Sequence, residues 1–370
     1  MKKNKKIRKK PFVPLFAKIL LSIAFVSFAI LFIAARNEAF AEWMTSNVGF
    51  YVRRAFAFLS TPIPFSLGEM LIVLAPIIII LIIVLAAKRK GARAKIRFLS
   101  GLLAILSLFY SSYVFTLGVG YQRTGVASRL DIPSVEINKD SLSNTLVILK
   151  EECEKLLDDV EFSESGSSVS DMSFDEIGDD ILAGYERLER DYPELNIKTF
   201  ASKAKQVYLS KVMTSFEISG VYTFFTGEAN VNVYYPDYGM PFTMAHELAH
   251  QRGIAREDEA NFIAFLACIR AESVYIRYSA YMNMFEYVAS ALSKTDKNAF
   301  KEIYAGADPR IKGEISAFNK FYDEHKNELM SKISDFMNDN YLKASGTEGI
   351  ISYGLVVKLC VAYYSDIASK

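Results

Sequence analysis

The stretch "MAHELAHQRGIAREDEANF", Met244 to Phe262, decides how the rest of this chain is read. It holds two of the three histidines in 370 residues, His246 and His250, four positions apart, with Glu247 beside the first. On an α-helix residues four apart share a face, so both imidazoles can approach one ion. Glu247 lies roughly 100° further round the helix and can reach a water held in an open coordination position. A zinc-bound water has its pKa lowered towards about 7, so a carboxylate can take its proton and later deliver it to a leaving amine. This H-E-x-x-H spacing is the signature of zinc peptidases. The competing reading is a helix with two structural histidines and a surface glutamate.

The third ligand has to come from elsewhere, because His325 is the only histidine left. Gly253 can end the helix in a left-handed cap and let the chain double back. Arg256 then stands where one large group of zinc peptidases, with the longer signature H-E-x-x-H-x-x-G-x-x-H, carries its last histidine. An arginine stays protonated and cannot ligate. Two carboxylates follow, Glu257 and Glu259. If a second helix begins near Glu257, then Glu257 and Asn261 share a face and Glu259 points away. Asn261 can then hydrogen-bond a ligating imidazole. Helical geometry favours Glu257, with Glu259 as the alternate. For both, the competing reading is an acidic first turn favoured by the helix dipole.

"HELAH" followed by "EDEANFIA" resembles the H-E-x-x-H plus E-x-x-A-[ND] arrangement of Glu-type zincins (gluzincins), which include membrane-anchored zinc peptidases. The resemblance implies that the first glutamate of the second motif, here Glu257, is the third ligand, with Ala260 and Asn261 in the following positions. The gap between the two motifs is very short here. The wider pattern of N-terminal spans, "AHELAHQRGIAREDEANF" and a late "YLK…G…SYG" segment (Tyr341, Leu342, Lys343; Ser352, Tyr353, Gly354) resembles an uncharacterised family of multi-pass bacterial membrane proteins, classed as a domain of unknown function. That resemblance implies a fold and no known reaction. In zincins an edge strand beside the metal holds the substrate backbone. Ala229 to Tyr235, with Val231 and Val233, is placed to do so, and an ordinary core strand is the other reading. A tyrosine or histidine often stabilises the oxyanion. Tyr353, Tyr341 and His325 are candidates, each against a packing or surface role.

Upstream, three apolar stretches each approach the roughly 20 residues needed to cross a bilayer as a helix. They cover 13–35, 70–87 and 98–120, and Lys18, near an end, is the only charge within them. A helix buried in a soluble protein rarely stays apolar all round for so long. The first 12 residues are strongly basic, the link 88–97 has six basic residues and no acid, and the link 36–69 carries three of each sign. The positive-inside rule puts the N-terminus and the second link in the cytoplasm, and everything from about Tyr121 outside it. "AFA" at Ala39 to Ala41 is a weak signal-peptide cleavage site, and cleavage there would not change that side. Trp43, Tyr51 and the phenylalanines of Phe50 to Phe65 suit a segment resting on the membrane surface. The expected localisation is a bacterial cytoplasmic membrane, crossed three times.

Residues 125–370 read as one zincin-like extracytoplasmic domain, mainly helical (α+β) with a small sheet. Ser141 to Asp159 is periodic and helical, with a serine able to cap it; Glu161 to Ser173 is a polar loop; Phe174 to Tyr192 is a helix stopped by Pro193. "GVYTFF" and "EANVNVYYP" alternate as two short strands. From Glu257 to about Leu292 the pattern is one long helix or two, and further helices break near Gly306 to Arg310 and Ala344 to Gly349. Cys153, Cys268 and Cys360 form no CxxC pair and read as small packed hydrophobes.

Charge divides the chain: Met1 to Arg123 has 18 Lys and Arg against 3 Asp and Glu, the remainder 25 against 39. The basic residues flank the spans and the soluble part is acidic, which excludes a nucleic-acid surface. A di-iron carboxylate site would need a second E-x-x-H, and His325 has Tyr322 three places before it. A transporter is disfavoured by the uncharged spans. The sequence therefore points to a membrane-anchored zinc metallopeptidase acting on a peptide or protein outside the cytoplasm. The alternative is a non-catalytic, zinc-stabilised sensor or scaffold on the same fold.

Overall fold

The structure is a computed structural model and describes residues 11–347 and 355–369. Helix α1 (Leu15–Ala34) is followed by α2 (Glu38–Trp43), a π-helical turn over Met44–Gly49, α3 (Phe50–Ser60), α4 (Leu67–Ala87) and α5 (Ala92–Tyr113). The third of these apolar helices starts earlier than composition indicates. Lys and Arg are good helix formers, and Gly91, at φ +79°, turns the chain directly into α5, so most of the basic link is helical. Three helices, α1, α4 and α5 with its continuation to Gln122, are long and apolar enough to cross a membrane. α1 packs along α5, whereas α4 buries none of its span.

The domain-side end of α4 is fastened to the rest of the protein by carboxylates. Glu228 accepts from the Leu67 and Gly68 N–H groups, and Glu69 in the first turn accepts from Tyr208 and Leu209 N–H. Free N–H groups and a positive dipole end favour acids at this point. Ser66 caps the helix by accepting from Glu69 N–H.

After α5 the chain continues through a second π-helical turn (Val114–Gly118) and a 3-10 turn (Gly120–Gln122) into α6 (Val126–Arg129) and α7 (Lys139–Leu156). Asn138, rather than a serine, caps α7, with Ser141 completing the capping box. The polar loop expected at Glu161 to Ser173 contains a small hairpin, β1 (Glu161–Phe162) with β2 (Ser168–Val169). Its anchor is the buried Glu314 carboxylate, which accepts from Ser168 N–H and Tyr278 O–H. α8 (Phe174–Asp191) carries a Ser173/Glu176 capping box and buries Ile177, Ile181, Tyr185 and Leu188 along one face. Burial of each contributes about 1.5–3 kcal/mol.

A three-stranded sheet follows. β3 (Lys205–Gln206), α9 (Ser210–Ser215), β4 (Gly220–Thr223) and β5 (Glu228–Val231) give the order β3-β5-β4, with β3 parallel and β4 antiparallel to β5. The two strands expected from alternation are present as β4 and β5, but β5 is central, so the edge-strand reading of Ala229 to Tyr235 is corrected and the core-strand reading holds. Val231 pairs with both Gln206 and Gly220 in the centre of the sheet and is fully buried, and Val233 lies just beyond β5. Among the described residues the open edge beside the histidine helix is β4. Periodicity shows where a strand is, while which strand is central depends on distant pairing, here the two-residue β3.

The helices α10 (Gly239–Gln251), α11 (Glu257–Cys268), α12 (Val274–Thr295), α13 (Lys297–Ala305), α14 (Pro309–His325), α15 (Glu328–Ala344) and α16 (Val356–Ser369) complete the chain. α10 is laid across β4 and β5, and α11 and α12 pack on it to form the main core. The three cysteines are free and buried.

A buried arginine joins the N-terminal helices to this core. Arg123, 2 % exposed at its side chain, pairs with Glu42 at 2.7 Å and donates to the carbonyls of Gly253 and Leu195. Burial raises the Glu42 carboxyl, but the Arg123 bonds outweigh it and hold the pKa at about 2. A carboxyl depressed in the fold contributes stability above its unfolded value near 4.5 and loses it as pH falls towards 2. Glu42→Gln should destabilise at neutral pH by about 2 kcal/mol, less than a fully enclosed pair because a quarter of Glu42 is exposed. Thermal unfolding in detergent should show a Tm lower by about 5 °C. The gap between variant and parent should close as pH is lowered from 5 towards 2, and a gap that stays constant would exclude this ion pair as its source.

Candidate metal centre

α10 ends in a Schellman motif. Ile254 N–H donates to Ala249 O and Gly253 N–H to His250 O, with Gly253 at φ +91°. A Cβ at Gly253 would also lie 2.6 to 3.0 Å from the Arg53 guanidinium. Arg53, on α3, fills the turn and donates to Thr45 O and Arg252 O. Five residues, Arg252 to Arg256, thus separate α10 from α11, and Glu257 opens α11 in its acidic first turn. That reversal brings Glu257 back over the histidines.

His246 Nε2, His250 Nε2 and Glu257 Oε2 form a triangle with sides of 3.0, 3.1 and 3.5 Å. All three residues are buried or nearly so, and together they can hold a metal ion. The outer ring nitrogens fix the tautomers. His246 Nδ1–H donates to Asn261 Oδ1 at 2.8 Å, and His250 Nδ1–H donates to Ile254 O at 2.7 Å. In the neutral tautomers both Nε2 lone pairs face the carboxylate oxygen, a repulsion relieved either by protonation of an imidazole or by a metal ion shared among the three.

The electrostatics agree. Burial pulls the His250 pKa down, but the Glu257 carboxylate outweighs it and raises it to about 9. Burial pushes Glu257 up, and attraction from His250 with bonds from His246 and His250 brings its net shift downward. The cluster thus favours a bound positive charge.

Glu247 sits beside this triangle, 5 % exposed. Burial raises its pKa to about 7, against the pull of both histidines. It is packed against β4 at Gly220, where a Cβ would come within 2.5 Å of Glu247 Oε1. Glycine is needed there for space, a requirement that only the folded chain reveals.

Glu259 is not in the cluster. Its Oε1 accepts from Val126 N–H at 2.9 Å and from Arg256 at 3.0 Å. Arg256 in turn donates to the carbonyls of Tyr121 and Arg123, tying the end of the third apolar helix to α11. Tyr121 is buried. It donates to Tyr341 O–H at 3.4 Å, so two hydroxyls stand on this side of the cluster. His325 bonds Tyr234 O–H and stacks on Phe321 at the end of α14, and it is not among the clustered ligands. Tyr353 lies outside the described residues. Arg53, Arg123 and Tyr121 escaped the sequence reading because each acts on residues far away in the chain, and Gly220 because it meets a helix packed on its strand, with no local spacing to mark any of them.

Metal analysis of purified protein should separate the two glutamates. His246→Ala, His250→Ala and Glu257→Ala should each lose stoichiometric metal, whereas Glu259→Ala should keep it and lose about 1–3 kcal/mol of stability through the unsatisfied Val126 N–H and Arg256. Retention of metal in Glu257→Ala would remove that residue from the ligand set.

No curated protein and no solved structure matches the chain. A family model described as Protein of unknown function (DUF3810) matches residues 46–361, from the link after the first apolar helix through the metal cluster to α16, and the chain belongs to that family.

Proposed function

We propose that the protein is a membrane-anchored, zinc-dependent peptidase of the Glu-type zincin class. His246, His250 and Glu257 hold the ion, and Glu247 is the general base. The observation that carries this reading is the convergence of two Nε2 atoms and one carboxylate oxygen next to a second, buried carboxylate. Zinc bonds of about 2.0–2.2 Å at tetrahedral angles set neighbouring ligand atoms roughly 3.3–3.5 Å apart, close to the triangle found. Two imidazoles and one carboxylate leave a fourth position free, the donor set of catalytic rather than structural zinc.

A zinc ion held by His246, His250 and Glu257 would supply a Lewis acid for a substrate carbonyl and for water. Glu247, beside that position, would serve as the general base that takes up a proton and returns it to the leaving amine. Its Oε2 is buried without a hydrogen-bond partner, a costly state that suits a group holding a proton in turn. Asn261 and the Ile254 carbonyl orient the imidazoles. The open edge of β4 supports an added strand of substrate backbone, with Gly220 and Tyr222 flanking the base. The positive-inside pattern supports placing this site on the extracytoplasmic side of a bacterial cytoplasmic membrane.

The test is Glu247→Gln in detergent-solubilised protein loaded with zinc. The variant should keep its metal and its Tm and lose at least about 100-fold in cleavage of a labelled unfolded protein. Unchanged turnover would contradict the mechanism. Full zinc occupancy with no cleavage by the parent protein would favour a non-catalytic scaffold.

A further inference from the structure

Helix α15 has an apolar face that no part of the metal centre explains. On a helix advancing about 100° per residue, Leu329, Ile333, Phe336, Met337 and Tyr341 fall within an arc of roughly 140°. All five are 37 to 71 % exposed, and Leu342, on another side, is the only buried residue of the helix. A stripe of this size in water is unfavourable unless something apolar covers it.

The two ends of α15 say where it lies. At its C-terminal end Ser345 Oγ is 2.8 Å from the hydroxyl of Tyr113, the last residue of α5, and the Tyr341 ring is edge-on to Tyr113. Its N-terminal end follows His325, which bonds Tyr234 O–H. The carbonyl of Tyr234 accepts from Thr214 on α9, and α9 begins at Ser210, next to the Tyr208 and Leu209 N–H groups that bind Glu69 in the first turn of α4. The C-terminal end of α15 is therefore fixed to the third of the helices long and apolar enough to span a bilayer, and its N-terminal end is linked through α14, Tyr234 and α9 to the segment that binds the first turn of α4.

A second exposed stripe lies on α3. Tyr51, Phe58 and Leu59 of α3, the helix that precedes α4, are 66 to 75 % exposed, and the opposite side of α3 buries Arg53 and Ala57. On α15, Lys332 and Lys343 adjoin the apolar arc and can reach lipid phosphates while the stripe faces inward.

We infer that α15 is an interfacial helix, and that its Leu329–Ile333–Phe336–Met337 face is seated in the acyl region of the leaflet at the domain-side ends of α4 and α5. The inference rests on those helices crossing a membrane and is independent of the metal reading. It has a consequence for the centre, because Tyr341 on the last turn of α15 reaches Tyr121 beside Glu257, so lipid seating sets one wall of the site.

The chain has a single tryptophan, Trp43, which makes the test direct. In a Trp43→Phe background, Phe336→Trp, Met337→Trp, Asp335→Trp and Ile80→Trp are reconstituted separately into phosphatidylcholine vesicles. Bromines are placed near the headgroup end of the acyl chains in one set and near the bilayer centre in another. Phe336→Trp and Met337→Trp should each lose about half of their emission to the shallow bromines and less to the deep ones, while Asp335→Trp, on the polar face, is little quenched. Ile80→Trp, midway along α4, should respond to the deep bromines. Quenching of Phe336→Trp and Met337→Trp no greater than that of Asp335→Trp, with Ile80→Trp quenched, would overturn the inference and leave the spans standing. The same would follow if their emission ignored bromine and shifted on adding an unfolded peptide, which would make the face a peptide-binding surface. An unquenched Ile80→Trp would remove the membrane premise itself.

Discussion

The left-handed turn at Gly253 is the constraint on which the rest of the site depends. A ligand on α11 can meet two ligands on α10 only if the chain reverses within a few residues, and the Schellman geometry does this with Gly253 at φ +91°. The turn is held from outside by Arg53 against its concave side and by Arg123 on the Gly253 carbonyl. Any side chain at position 253 would carry both left-handed strain and a collision with a buried guanidinium. The same turn also orients the His250 ring, because the Ile254 carbonyl one residue later accepts from Nδ1.

Both clamping arginines come from the part of the chain that contains the apolar helices. Arg53 lies on α3 between the first and second of them, and Arg123 follows the third. Arg256, Glu259 and Glu228 add further bonds across the same boundary. The candidate ligand cluster is thus not a feature of a domain that happens to be tethered. The N-terminal helices supply the wedge, the ion pair and the tyrosine wall around it.

Much of this was legible in the residues. The spacing of His246, Glu247 and His250, the glycine after them and the acidic "REDEANF" segment mark two helices and a tight reversal, and the structure brings Glu257 and Asn261 to the histidines with Glu259 turned away. The three apolar stretches emerge as helices, the third starting earlier than its composition indicates, and the resemblance to a family of unknown function holds over residues 46–361. What was not legible depends on long-range pairing. Val231 alternates as an edge strand would, yet it is central because Lys205 and Gln206, too short a segment to read as a strand, add on its other side. Arg53 looks like one of two charges in an aromatic link, and only the folded chain shows it buried under Gly253. Lys326 and Asn327 break α14 from α15 without a proline or glycine, so the free-standing helix with its apolar face was hidden in a longer helical pattern.

The central claim is that two imidazoles and one carboxylate, presented by this turn, bind a single zinc ion. X-ray absorption at the zinc edge of the purified protein tests it directly. The account predicts two imidazole nitrogens at about 2.0–2.1 Å and oxygen ligands at about 2.0–2.2 Å, with no sulfur shell, because all three cysteines are buried apart from the cluster. A sulfur shell near 2.3 Å, fewer than two imidazoles, or protein that takes up no zinc at all would contradict it.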